Sequence, residues 1–574
     1  MNVKRLRNLI VALAVIAFLM RRYHRHLLAY LLRISPPRYR VKVERGLVIP
    51  MRDGVPLSAD HYAPATPLPV PTILIRSPYG RNTRHSLFGL LLEFFGQRFA
   101  ERGYHVLIQD TRGRFDSQGS FNPYFNENDD GKATLDWLCR QPWSTGVIGL
   151  WGGSYLGIVQ WLIAAENPAI KALVPSITST QLHKILYPDG AFDLGLALRW
   201  LSLFQTLDQN RHTRNPIKWF TVLDDIERAI QPALLHQPLA EADQIVLGET
   251  TAPFQEWIEY SRADDDIWRD NLEQMRLQDV TAPTHLMSGW YDFFLRGLLD
   301  DYETLVKAGR QPYLTIGPWH HFMAIIAMAD LREGLLWFDT YLRGEPNRLR
   351  EKPVRLYVMG VNQWRDFDNF PPPATETRYY LQTGRLLSTE LPHELSQPDH
   401  YTYDPTDPTP AVGGAIFSIR GGRVRNNRLE ARPDVLTYTT SPLRHPLEVI
   451  GRVRVELYAQ SDLEHTDFFG RLCDVTPDGR SLNICEGLFR VEPGKLERQA
   501  DGSLCVEIDL WATAHVFKRG HSIRLQISSG AHPHWNRNLG TTDYFSTCCS
   551  YRSAHQTIYH DKVRPSALIL PVTK

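Results

Sequence analysis

Cysteine is scarce in this chain: six of 574 residues, at Cys139, Cys473, Cys485, Cys505, Cys548 and Cys549. None forms a C-x-x-C pair, and the adjacent Cys548 and Cys549 suit neither a zinc site nor an ordinary disulfide framework. They read as reduced core thiols rather than structural disulfides, which fits a reducing, cytoplasmic compartment. An excess of one charge is also missing. The chain has 64 Lys and Arg against 63 Asp and Glu, a formal net charge of +1, so its balance carries no footprint for nucleic acid. Internal repeats and low-complexity tracts are absent. The N-terminal apolar run, Leu9 to Met20, spans 12 residues, short of the roughly 20 needed to cross a bilayer. Arg21 and Arg22 follow it, not the small pair a signal peptidase needs, which argues against a cleaved signal. The basic flanks (Lys4, Arg5, Arg7, then Arg21, Arg22 and Arg25) suit an interfacial helix on anionic lipid. Residues 4–33 are therefore a candidate for peripheral membrane contact, the alternative being a helix packed on the protein body.

What is present is a globular composition, 43% apolar and 22% charged, long enough for two or three domains. Residues 45–57 read as a hairpin around Asp53-Gly54. Short apolar runs follow at Pro71–Arg76, Tyr104–Asp110, Val147–Trp151, Ile170–Pro175, Thr284–Gly289 and Pro312–Gly317, with helical stretches around 90–101 and 130–140. Strands alternating with helices predict a parallel sheet covered on both faces. Between about 177 and 280 the alternation stops, and an aromatic-rich helical stretch (Trp200, Phe204, Trp219, Phe220, Trp257, Tyr260, Trp268) reads as an inserted cap. From about 352 alternating runs such as Val354–Met359, Val453–Tyr458 and Ser522–Ser528, separated by Pro, Gly and Asp clusters, read as an all-β sandwich or jelly roll. The expected domains are an N-terminal segment 1–40, an α/β core at 41–176 and 281–350, a helical cap at 177–280 and a β module at 351–574.

The most informative stretch is Gly149-Leu-Trp-Gly152-Gly153-Ser154-Tyr155-Leu156-Gly157. An apolar strand ends at Trp151 and an apolar helix begins at Tyr155. A serine on so tight a strand-to-helix turn needs small neighbours at 152 and 153, and the turn lifts its hydroxyl clear of the sheet. The same turn leaves the Tyr155 N–H at a helix N-terminus, where it can donate to a developing oxyanion. Ser154 is thus a candidate nucleophile, although Leu156 stands where the common G-x-S-x-G motif has its last glycine. A plain strand–helix connection is the competing reading.

A nucleophilic serine needs a base, and the base an orienting carboxylate. In an α/β-hydrolase-type sheet, the fold these alternating strands and helices suggest, they come in the chain order Ser, acid, His on loops after later strands. The run ending in Gly289-Trp-Tyr-Asp292 and the run ending in Gly317-Pro-Trp-His320-His321 each offer the right residue just past a strand's C-terminal end. Asp292 could instead cap the following helix, and either histidine could be a plain packed imidazole. Tyr79, in Arg76-Ser-Pro-Tyr79-Gly80, lies in the loop that supplies the second oxyanion donor in this type of fold, unless its ring only packs on the nucleophile turn.

Together these residues resemble the cocaine-esterase / X-Pro dipeptidyl-peptidase family of serine hydrolases. The similarity runs through Met51-Arg-Asp-Gly54, Asp110-Thr-Arg-Gly-Arg-Phe-Asp-Ser-Gln-Gly119, Asp136-Trp137, Gln141-Pro-Trp143-Ser-Thr-Gly146 and Gly153-Ser154-Tyr155-Leu-Gly157, which accounts for the displaced glycine. It continues in the two downstream motifs and, within the β module, in Met359-Gly-Val-Asn-Gln-Trp364-Arg365 and Gly520-His521-Ser-Ile-Arg524. The resemblance implies an α/β-hydrolase core with a helical cap and a C-terminal jelly roll. It implies His321 rather than His320 as base, Asp292 as acid, and an oxyanion hole of the Tyr79 hydroxyl and the Tyr155 N–H. It also implies two-step acyl transfer with no metal or organic cofactor.

The family spans plain esterases, amino-acid ester hydrolases and dipeptidyl peptidases. Members acting on α-amino acyl groups resemble one another in keeping carboxylates beside the site. Here Phe293, Phe294, Leu295 and Arg296 follow Asp292, a wall that would leave a buried ammonium without a partner. That points to a small-molecule ester or amide with a neutral or apolar acyl group. Asp264, Asp265 and Asp266 in the cap are the alternative source of charge for an amino-acyl substrate. A different class of reading makes the β module a binder on an inert core.

Overall fold

The computed structural model describes residues 23–165, 167–211, 216–346, 348–494 and 496–573. The expected interfacial segment at 4–33 lies outside the described residues as far as residue 22; residues 23–32 are helical. The chain divides into two compact units. One holds Met1–Pro175, Thr281–Thr284 and Ala324–Leu349, the other Ser176–Val280, His285–Met323 and Arg350–Lys574.

In the first unit Val41–Pro50 (β1) and Pro56–Pro64 (β2) form the hairpin expected from sequence. Its turn uses Gly54 at φ +82°, a conformation that costs glycine nothing. Val70–Ser77 (β3), His105–Asp110 (β4), Ser144–Gly153 (β5) and Ile170–Ser176 (β6) continue the sheet in the order β1-β2-β4-β3-β5-β6. β3 runs parallel to both β4 and β5. Every residue of β4 is buried, which is why it reads as a continuous apolar run rather than an alternating one. Leu87–Ala100 (α1), Glu127–Cys139 (α2), Tyr155–Ala164 (α3) and a helix at Ala324–Tyr341 accompany these strands. Ser86 starts α1 by accepting the Gly89 N–H at 2.8 Å.

In the second unit His285–Tyr291 (β7), Tyr313–His320 (β8), Val354–Val358 (β9) and Gln363–Phe367 (β10) pair in that order, the first three in parallel. Sequence reading assigned residues 354–359 to the β module, but β9 extends the sheet of β7 and β8 instead. Its alternation of buried Val354, Leu356 and Val358 with half-buried Arg355 and Tyr357 is what any one-face-covered strand has, and does not say which sheet it joins. Short helices fill the stretch after β6, among them Leu182–Leu186, Leu194–Gln209, Pro216–Ala229, Ala252–Glu259 and Asp266–Gln274.

From Thr375 on, the regular elements among the described residues are all strands, joined by long loops at 404–435 and 529–553. Its longest pairing is antiparallel, Leu447–Ser461 against Leu504–Phe517, with a bulge between Arg452 and Arg454. A hairpin of Thr466–Val475 and Ser481–Val491 lies further along the same sheet. The helical stretch is fastened to these strands. Ala191 packs with Phe469, Leu488, Ala531 and Trp535, Trp535 donates its indole N–H to the Pro188 carbonyl at 3.0 Å, and the His534 ring meets Asp193 at 2.7 Å. All six cysteines are unpaired, as expected, but only Cys473, Cys485 and Cys548 are core thiols: Cys505 is half-buried, and Cys139 and Cys549 are exposed.

Candidate active site

In the first unit, β5 ends at Gly153 and α3 begins at Tyr155, so one residue makes the turn. Ser154 has φ 60° and ψ −128°, a region that a residue with a Cβ occupies only when its surroundings force it. Gly152 explains the small-residue requirement: at φ +141° an added Cβ would lie 2.6 Å from the Leu156 Cβ. The Tyr155 N–H belongs to the first turn of α3, where amides have no intrahelical acceptor.

The Tyr155 side chain is anchored elsewhere. Its hydroxyl donates to Glu127 Oε1 at 2.8 Å and accepts the Tyr124 N–H at 3.2 Å. Glu127 is gripped in turn by Arg76, Nη2 to Oε2 at 2.8 Å and Nη1 to its carbonyl at 2.8 Å. Burial pushes the Glu127 carboxyl above its ordinary range against the pull of Arg76. Burial likewise pushes the Tyr155 phenol far up, with the Glu127 charge adding to it. The phenol therefore keeps its proton and spends it on Glu127.

Tyr79 follows β3. Its N–H donates to Ser77 Oγ at 3.1 Å, its carbonyl accepts the Ser86 hydroxyl, and its ring meets that of Tyr155 edge-on with centroids 6.4 Å apart. The Asp110–Gly119 loop braces this turn: Thr111 N–H donates to the Ser77 carbonyl at 3.1 Å, and Arg114 Nε to the Pro78 carbonyl at 3.0 Å. Arg112 ties the loop to the hairpin turn and to α2, reaching Asp53 at 2.7 Å and Asp130 at 2.6 Å. Beside the turn His85, Asp110 and Asp116 bring ligand-type atoms within 4.8 Å of one another. The buried Arg81 guanidinium already pairs with Asp60, Asp110 and Asp116, so these carboxylates answer a cation the chain itself supplies.

In the second unit Asp292 and His321 meet. His321 Nδ1 lies 2.8 Å from Asp292 Oδ2, and the carboxylate is fully buried. A carboxylate only accepts, so the proton sits on Nδ1 and the lone pair of a neutral ring on Nε2. The other oxygen, Oδ1, accepts the Phe294 N–H at 2.9 Å in the turn before the helix Leu295–Lys307. The cap position itself is Phe294, so Asp292 is not the helix cap that was the competing reading. His320, the last residue of β8, faces elsewhere, its Cδ2 lying 3.4 Å from where a Cβ on Gly422 would stand. Burial lowers its pKa and keeps that ring neutral. Sequence left the two histidines open until the resemblance chose between them; in the structure it is His321 that bonds to Asp292.

Aromatic rings surround the His321 imidazole: Phe293 at 4.6 Å between centroids, Phe417 at 5.5 Å, Phe322 at 5.6 Å and Phe294 at 5.7 Å. Phe417 was missed from sequence. It sits on a loop closed at its neck by Gly414 and Gly422, each donating its N–H to the other's carbonyl at 2.9 and 2.8 Å. The paired glycines at 413–414 and 421–422 are the signal that marks this loop. The Arg296 guanidinium is spent on Asp189 and on Asp509, the latter at 3.1 Å.

A serine in a strained strand-to-helix turn on a parallel sheet is the build of an α/β-hydrolase. Two family profiles cover the chain. X-Pro dipeptidyl-peptidase (S15 family) matches residues 53–323, and the X-Pro dipeptidyl-peptidase C-terminal non-catalytic domain matches 347–569. Cocaine esterase of Rhodococcus sp. (strain MB1 Bresler) is 33% identical over 93% of this chain and 99% of its own. Among solved structures, an α-amino acid ester hydrolase superposes with a TM-score of 0.78 at 23% identity, over 93% of this chain and 97% of its own. An aminopeptidase from a marine sediment Thaumarchaeota archaeon gives 0.77 at 24% identity, over 94% and 97%. The protein is a serine hydrolase with an α/β-hydrolase fold and a C-terminal β-rich domain. It belongs to the cocaine-esterase / X-Pro dipeptidyl-peptidase family.

Proposed function

We propose that this protein hydrolyses small esters with neutral or apolar acyl groups, through an acyl-enzyme on Ser154. His321 takes the Ser154 proton as the hydroxyl attacks the ester carbonyl and returns it to the leaving alcohol. Asp292 holds the imidazole in the tautomer with Nε2 unprotonated and stabilises the imidazolium that forms. The Tyr155 N–H and the Tyr79 hydroxyl donate to the tetrahedral oxyanion. Water then repeats the sequence on the acyl-enzyme. The carrying observation is the 2.8 Å bond between fully buried Asp292 and His321, which leaves the imidazole ready to act as a base.

The acyl preference is supported by what lines the second unit next to His321. Phe322 and Phe417 share a small space with Leu203, Leu223 and Ile226 of the helical stretch proposed as the cap, residues 177–280. The one carboxylate there, Glu227, is taken by Arg199 at 2.8 Å and by the Ser418 hydroxyl at 2.6 Å. In the acidic run offered as an ammonium site, Asp264 and Asp266 are exposed and paired with Arg262 and Arg269, and half-buried Asp265 accepts the Arg262 N–H at 2.9 Å. An amino-acyl substrate would leave its charge uncompensated in such surroundings.

A fluorophosphonate probe should label the native protein and leave Ser154→Ala unlabelled. Ser154→Ala and His321→Ala should each lower kcat by about 10⁶. p-Nitrophenyl butyrate should turn over faster than Ala-Pro-p-nitroanilide. Faster cleavage of the anilide would make the chain a dipeptidyl-peptidase, and absence of labelling would leave the β domain as the working part.

A further inference from the structure

The ten-residue helix at 23–32 is built in two faces. On one, Ala29 is buried, Arg25 Nε meets Glu101 at 2.6 Å, and an Arg25 Nη also reaches the Tyr39 carbonyl. Glu101 closes α1, and its carbonyl accepts the N–H groups of Arg38 and Tyr39 at 2.8 and 3.0 Å. The helix is thus clasped to the first unit. On the other face stand Tyr23, Leu27, Tyr30 and Leu31, exposed by 49, 46, 80 and 67%. At helical spacing these four fall within one arc of about 100°. Four large apolar side chains on one stripe make a contiguous patch rather than scattered surface residues.

Charge is segregated at the same end of the chain. The first 43 residues hold ten Lys or Arg and no Asp or Glu, in a protein whose formal net charge is +1. The remainder is therefore net acidic. Arg33 and Arg40, just beyond the helix, are exposed, while Arg38 pairs with Glu345 at 3.1 Å, and the sequence ahead of the helix holds the apolar run Leu9–Met20 between basic clusters. We propose that this helix is a docking surface for an anionic bilayer, with the Tyr23–Leu31 stripe at the headgroup–acyl boundary and the flanking arginines on lipid phosphates. Apolar burial and attraction to anionic lipid are the two contributions that hold an amphipathic segment at an interface. A second copy of the chain is a poorer occupant, since a two-fold contact through this face would bring like charges together. Nucleic acid would have no use for the apolar stripe.

Sedimentation with extruded vesicles tests this. Full-length protein should bind vesicles containing about a third phosphatidylglycerol roughly tenfold better than pure phosphatidylcholine, and lose most of that in about 0.5 M NaCl. Leu27→Glu/Leu31→Glu should reduce binding at least tenfold with an unchanged far-ultraviolet circular dichroism spectrum. Should that variant misfold, Arg33→Ser/Arg40→Ser, altering exposed side chains only, should still weaken binding several-fold. Binding indifferent to phosphatidylglycerol, or unaffected in both variants, would overturn the proposal. So would a dimer that Leu27→Glu dissociates, or tighter binding to a single-stranded oligonucleotide than to vesicles.

Discussion

At the scale of single residues, Ser154 carries the clearest conflict between folding and chemistry. Its backbone, at φ 60° and ψ −128°, lies where a side chain costs of order 1–3 kcal/mol. Glycine there removes that cost and alanine does not. Ser154→Gly should therefore be more stable than Ser154→Ala by about 1 kcal/mol in urea unfolding, with both variants inactive. A Ser154→Gly protein less stable than Ser154→Ala would mean that the serine conformation is unstrained. The residues supporting this turn were illegible from sequence. Arg76, Glu127 and Tyr155 are spread over 80 positions and become a chain of contacts only once β3, α2 and α3 have packed. Nothing in periodicity or motif spacing tells a buried carboxylate that anchors a phenol from an exposed one at a helix start.

Among elements, the loop closed by Gly414 and Gly422 gives the β domain a share in the surroundings of His321 through Phe417. Phe417→Ala should lower kcat/KM for p-nitrophenyl butyrate roughly tenfold and for the acetate ester less, because a longer acyl chain loses more contact. Equal losses on both esters would assign Phe417 to support of the imidazole rather than to the acyl group. The strands were legible where they are short buried runs, as in β4 and β7, and the hairpin where Asp53-Gly54 interrupts two apolar segments. β9 was not, because a strand's alternation records which of its faces is covered and not what it pairs with. Phe417 was not either, since contacts between distant loops leave no periodic trace. Asp292 and the His320–His321 pair could be picked because each follows a buried strand's C-terminal end, a rule of the fold rather than of the residue. That rule did not choose between the two histidines, and only the resemblance did.

For the molecule as a whole, acid stability follows from its buried histidines. His61 and His105 share a 2.8 Å contact under the Trp143 ring. Burial lowers both, and His85 as well, to about 4. In the unfolded chain such rings titrate near 6.5. The folded state therefore binds fewer protons between those values, and the stability present above about pH 6.5 drains away as pH falls toward 4. Each ring contributes up to about 1.4 kcal/mol per pH unit in that window. Urea midpoints measured from pH 7 to 4.5 should fall steadily, and His61→Phe/His105→Leu should flatten the slope; a flat native profile would contradict the burial argument. The unpaired cysteines have a practical use. The two exposed thiols, Cys139 and Cys549, fall one in each compact unit. With the half-buried Cys505 replaced by serine, maleimide donor and acceptor dyes at those two positions would turn any rearrangement of the units during turnover into a change in energy transfer, with no residue added to the chain.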